Sequence, residues 1–68
     1  MTRKEFKEKA TRAFVRANPT ASVEWLTSRF VTYPTGVKGW TGKFIGSAPG
    51  YRSRVMLASG DDEHVRVN

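Results

Sequence analysis

Apolar positions follow a helical period in the first quarter of the chain and a strand period in most of the rest, with the change at Asn18-Pro19. Phe6, Ala10, Ala13, Phe14 and Ala17 fall at i, i+4, i+7, i+8 and i+11, which places them on one face of an α-helix. Thr2 and Glu5 have the spacing of a capping box, in which hydroxyl and carboxylate each satisfy an orphan amide at a helix start. Glu5 with Lys9 and Glu8 with Arg12 are i,i+4 pairs in the favourable order. The pattern predicts an amphipathic helix over about residues 2–17, and Pro19 stops it by disfavouring helical geometry at Asn18.

Residues 20–33, TASVEWLTSRFVTY, admit two readings. Val23, Leu26 and Phe30 sit at i, i+3 and i+7, which suits a short helix over about 21–28. The crowding of Val, Trp, Thr, Phe and Tyr toward the end favours a strand over roughly 23–33, and that reading is adopted. Tyr33-Pro34-Thr35-Gly36 has the residues of a type I turn. The glycines at 36, 39, 42, 46 and 50 oppose a helix and suggest a bent or bulged strand near 39–46. Ser47-Ala48-Pro49-Gly50 is the next turn signal. Alternation then predicts strands at 51–58 and 63–67, separated by Ser59-Gly60-Asp61-Asp62, with Val65 and Val67 on one side. The expected fold is a single α+β domain over residues 1–68: one N-terminal helix laid on an antiparallel sheet of three to four strands.

GWTGKFIG, a turn, and then VMLASGDDEHVRV resemble the strand-turn-strand of small SH3-like barrels, including KOW-type modules. The resemblance covers about half the chain and rests on glycine, tryptophan and alternating apolar residues. It implies a partial barrel and assigns no site residues.

Composition narrows the functional classes. A 68-residue chain buries only about 60% of the surface that its unfolded form exposes. Without cysteine, neither disulfides nor thiolate-bound metal can staple it. The aromatics, two Trp, two Tyr and four Phe, must therefore supply much of the core, or a partner or second copy must help. No apolar run approaches a membrane span and no signal-peptide core follows the start, so the cytoplasm is the expected compartment. Twelve Lys and Arg against six Asp and Glu give a net charge of +6, which favours polyanions through counterion release.

Sequence motifs for chemistry fail on inspection. A P-loop ending at Gly42-Lys43 would need glycine where Val37 stands and a hydroxyl where Phe44 stands. Asn18-Pro19-Thr20 is no glycosylation site, because proline occupies its middle position. Asp61-Asp62-Glu63-His64 gathers four ligand types, but successive strand residues point to opposite faces and converge poorly on one ion; a solvated acidic turn is the expected role. The same tetrad holds the chain's one histidine, so a catalytic constellation would be sparse. No enzyme activity, cofactor or metal is expected.

The basic residues are the candidate site. Lys9, Arg12 and Arg16 form a helical stripe away from Phe6 and Phe14. Arg52 and Arg54 share one face of a predicted strand, with Lys38 and Lys43 expected on its neighbour, Trp40 between them and Tyr51 at the turn. Cations interleaved with aromatics suit nucleic acid, since the cations neutralise phosphates and the rings stack on bases or sugars. Trp40 among glycines has little to cover it, although core packing is the alternative for a lone tryptophan in a small domain.

The sequence thus points to a small basic nucleic-acid-binding regulatory or accessory protein, of the type carried by phages or plasmids. If residues 20–30 were helical, a helix-turn-helix-like pair would shift this toward duplex DNA. The alternative is a protein-binding inhibitor or adaptor of phage or mobile-element type that engages an acidic protein surface. A homodimer, or a subunit that completes its core in a complex, is also open. An exposed patch of Trp25, Tyr33 and Trp40 would favour protein contact; Trp40 ringed by Lys and Arg would favour nucleic acid.

Overall fold

The computed structural model describes every residue except Asp62. Helix α1 (Arg3–Ala17) precedes β1 (Ser22–Thr32), β2 (Lys38–Ser47), β3 (Arg54–Gly60) and β4 (Val65–Val67). The strands form one antiparallel sheet in chain order, with β1 and β4 at its edges. The architecture is the expected α+β arrangement, but the sheet is open rather than curled into a barrel.

The capping box forms as read: the Glu5 amide donates to Thr2 Oγ1 at 3.1 Å, and the Thr2 amide donates to Glu5 Oε1 at 3.1 Å. At the other end Asn18 closes the helix, its backbone amide and its side-chain Nδ2 both donating to the Phe14 carbonyl. Residues 22–32 are strand, so the helical alternative over 21–28 does not form. Its apolar spacing lost to β-branched and aromatic content and to pairing with β2.

Register shows which residues face α1. Trp25, Ser28 and Phe30 on β1 oppose Phe44, Gly42 and Trp40 on β2, and Phe44, Gly42 and Gly46 in turn oppose Met56, Ala58 and Arg54 on β3. The expected irregularity near 39–46 is not in β2, which pairs continuously with β3. It lies on the neighbouring strand, where the register shifts between Trp25 and Thr27 and leaves Leu26 unpaired. This bulge inverts the alternation of β1, so Arg29 leaves the helix side and Phe30 joins it.

Between β1 and β2, the Gly36 amide donates to the Tyr33 carbonyl and the Tyr33 amide to the Val37 carbonyl. Gly36 at φ 86° supplies the left-handed residue that follows such a turn. Strand β3 begins at Arg54 rather than 51, because the turn runs over Ala48–Tyr51, where the Tyr51 amide donates to the Ala48 carbonyl.

The core lies between α1 and β2. Phe6, Ala10, Phe44 and Ala58 are almost wholly buried, with Trp40 beside them at 8% exposure. Phe6 stacks on Trp40 with centroids 5.9 Å apart and lies 5.9 Å from Trp25, while Phe14 meets Phe44 edge-on at 5.2 Å. The rings fit because β2 has no side chain at two places. A Cβ on Gly42 would lie 2.6 Å from the Thr27 carbonyl oxygen and 3.3 Å from the Phe6 ring, and one on Gly46 would enter the Phe14 ring. Eight helical residues from Phe6 to Phe14 rise about 12 Å, and four strand residues from Gly42 to Gly46 rise about 13 Å, so helix and strand run in step.

Two core substitutions test this packing. Phe6→Ala is expected to lower unfolding free energy by about 3–5 kcal/mol in a urea titration. Gly42→Ala is expected to cost about 1–3 kcal/mol, since its obstruction is backbone and cannot swing aside. A near-neutral result for Phe6→Ala would disprove the close seating of α1 on β2, and one for Gly42→Ala the close approach of the Thr27 carbonyl of β1.

Candidate functional site

The structure separates the residues that the sequence grouped. Lys38 and Lys43 lie an odd number of residues apart on a regularly paired strand and so point to opposite sides of the sheet. Lys38 shares the α1 side with Trp40, while Lys43 is on the outer side, away from the helix. Arg54 is also on the α1 side but opposite Gly46, at the far end of β2 from Lys38. Arg52 precedes β3 in the connecting loop. All four cations are exposed.

Trp40 departs most from expectation. Its ring is core, stacked on Phe6 and met edge-on by Phe30 at 5.2 Å. Its indole N–H donates to the Met1 carbonyl at 3.3 Å, and the Arg3 guanidinium lies 5.9 Å from its ring centroid. The glycines that seemed to leave it bare belong to the strand floor, and α1 supplies the cover. Trp40 is therefore neither a base-stacking platform nor part of a ring of cations. The exposed Trp25–Tyr33–Trp40 patch is also absent. Trp25 is half-buried, with its N–H on Thr11 Oγ1 at 3.1 Å, and the Tyr33 hydroxyl donates to the Trp40 carbonyl at 3.3 Å.

Tyr51, Arg52 and Arg54 do come together. They line a cleft of about 660 Å3 between the C-terminal part of α1 and the β2–β3 connection, floored by Phe14, Ala17 and Met56. Tyr51 is 81% exposed. A hydrogen bond of 2.9 Å between the Ser47 and Ser53 hydroxyls closes the base of the loop that carries them. The carbonyl end of α1 faces this cleft, and its negative potential favours cations there. Lys9, Arg12 and Arg16 are exposed on the helix as read. Neither expected pair forms among the described residues: the Glu5 carboxylate is occupied at the capping box rather than by Lys9, and Glu8 makes no ion pair with Arg12. Among the described residues, no Lys or Arg forms an ion pair with a carboxylate.

The outer face holds two cations that the sequence reading missed. Cα pairing runs Arg29–Thr41–Ser59–Arg66 straight across all four strands, and the next row is Thr27–Lys43–Leu57. Only the Leu26 bulge puts Arg29 there, and only the β3–β4 register aligns Arg66 with it. Strict alternation through 23–33 gives the opposite side for Arg29, so no signal in the sequence marked the row.

In the β3–β4 turn, Asp61 Oδ1 accepts the backbone amides of Glu63 and His64, both at 2.8 Å, and lies 3.6 Å from His64 Nδ1. Those amide bonds, with the nearby imidazole, hold the Asp61 carboxyl below its ordinary range. Asp62, the remaining acid of the tetrad, lies outside the described residues. The hydrogen bonds with the Thr2 backbone and hydroxyl likewise hold Glu5 low.

No family model, curated protein or solved structure matches this chain.

Both depressed carboxyls contribute stability that is complete above their unfolded values and is lost as pH falls through their lower folded ones. The melting temperature is therefore expected to decline on the acid side of the ordinary carboxylate range. Glu5→Gln combined with Asp61→Asn should flatten that decline, which thermal melts between neutral and strongly acidic pH will measure; an acid limb identical to wild type would contradict the assignment.

Proposed function

We propose that this chain is a small, non-enzymatic nucleic-acid-binding protein of regulatory or accessory type. The observation that carries the reading is the unpaired state of its cations. Twelve Lys and Arg stand against six acids, and none of the twelve is neutralised by a carboxylate among the described residues. Intramolecular pairing would divert that charge; left free, it is available to displace counterions from a phosphate backbone. Arg52 and Arg54 at the cleft, Lys43 on the outer face and the Lys9, Arg12, Arg16 stripe contact phosphates in this reading, and Lys38 adds long-range attraction. Tyr51 is the exposed ring available to a sugar or base.

A second reading, a protein-binding inhibitor or adaptor that takes an acidic surface, draws on the half-exposed Val55 and Leu57. Fluorescence anisotropy of labelled oligonucleotides separates the two. Nucleic-acid binding predicts an affinity that falls steeply with salt, and absence of binding at low salt would turn the assignment to the protein partner. Arg52→Ala with Arg54→Ala is expected to keep the fold and reduce the slope of log affinity against log salt by about two. Since both tryptophans are packed against α1, binding should leave Trp emission nearly unquenched.

A further inference from the structure

Among the described residues, the face of the sheet opposite α1 carries no covering element; its cationic, hydroxyl-bearing row lies toward one end, and Glu24, Ile45 and Val55 lie toward the other. Arg29 and Arg66 end a row of four paired residues whose middle members, Thr41 and Ser59, are hydroxyl-bearing. Three inter-strand steps separate the two arginines, so their Cα atoms are roughly 14 Å apart. The major groove of duplex DNA is about 12 Å wide and admits a two-stranded β-ribbon, so the central pair β2 and β3 lies over the groove and the edge strands β1 and β4 lie over its rims. Long arginine side chains at that separation can reach the phosphates on both rims while the hydroxyls between them face base edges. Lys43 follows one row on, at the centre of the sheet, with Leu57 exposed beside it.

The same face discriminates among occupants. A second copy docked on the Arg29–Arg66 row would bring the cations of both copies together with no acid in that row to offset them. A single strand needs aromatic platforms for its bases, and these rows contain none; Tyr33, the nearest outer-side ring, is tied to the Trp40 carbonyl across Gly39. The turn with Asp61 and Glu63 adjoins the β4 end of the row and sets a like-charge boundary to a phosphate backbone there.

Resting on the nucleic-acid reading above, we infer that this open face is a duplex-binding platform: Arg29 and Arg66 hold the two backbones that flank a major groove, Thr41 and Ser59 lie toward the base edges, and Lys43 supplies a further phosphate contact.

The test is anisotropy of a labelled 16-base-pair duplex and of its single strand across a salt series, for wild type and three variants. Arg29→Ala with Arg66→Ala is expected to weaken duplex binding at least tenfold and lower the salt slope by about two. Lys43→Ala, an independent change on a central strand, should lower it by about one. Arg52→Ala with Arg54→Ala reports the cleft. If wild type binds neither oligonucleotide, the nucleic-acid reading fails and this inference fails with it. If wild type binds but the Arg29/Arg66 and Lys43 variants match it while the Arg52/Arg54 variant does not, nucleic-acid binding stands and the platform is overturned. Tighter binding to the single strand than to the duplex, or equal displacement of the duplex by poly-glutamate at matched charge, would also overturn it.

Discussion

Phe6 lies against both indoles, and the rest of the molecule is arranged around that contact. Its ring stacks on Trp40 and tilts against Trp25, so one helical residue joins the edge strand β1 and its neighbour β2 to α1. The arrangement is possible only because Gly42 leaves bare backbone beneath the ring. It is tolerable only because each indole N–H has an acceptor, on Met1 or on Thr11. A small chain without cysteine has few other means of closing a core, and here large rings on a floor of glycine take the place of a staple.

The consequence for function is a division of labour between the two sides of the sheet. The aromatic content that suggested base stacking is consumed by the core on the α1 side, with Tyr51 the aromatic left most open to solvent. Cations remain on the surface, and the capping box contributes to this by drawing Glu5 away from Lys9. The rings thus hold the fold, and the outer sheet face carries Arg29, Lys43 and Arg66 beside the aliphatic Ile45, Val55 and Leu57.

The bulge at Leu26 links fold to surface. Without it, Arg29 would turn toward the helix into the place where Phe30 packs edge-on against Trp40, and Phe30 would turn outward, away from that ring. One extra residue in β1 corrects both and aligns Arg29 with Thr41, Ser59 and Arg66.

Local rules were sufficient for the helix, its capping box, the Tyr33–Gly36 turn, the meander and the common face of Val65 and Val67, because each depends on neighbours a few residues apart. They also favoured a strand over roughly 23–33, realised over 22–32, where β-branched and aromatic residues outweighed a helical spacing. The side on which each cation falls was not legible, since it depends on a bulge and on inter-strand register that no short window encodes. Trp40 was misjudged for the same reason. Its cover comes from Met1, Arg3 and Phe6, more than thirty residues away in the chain. Composition and periodicity determined the elements and the charge of this protein; only the packing of α1 on β2 decided which rings are withdrawn from solvent, because burial depends on distant surfaces meeting and not on any residue's own character.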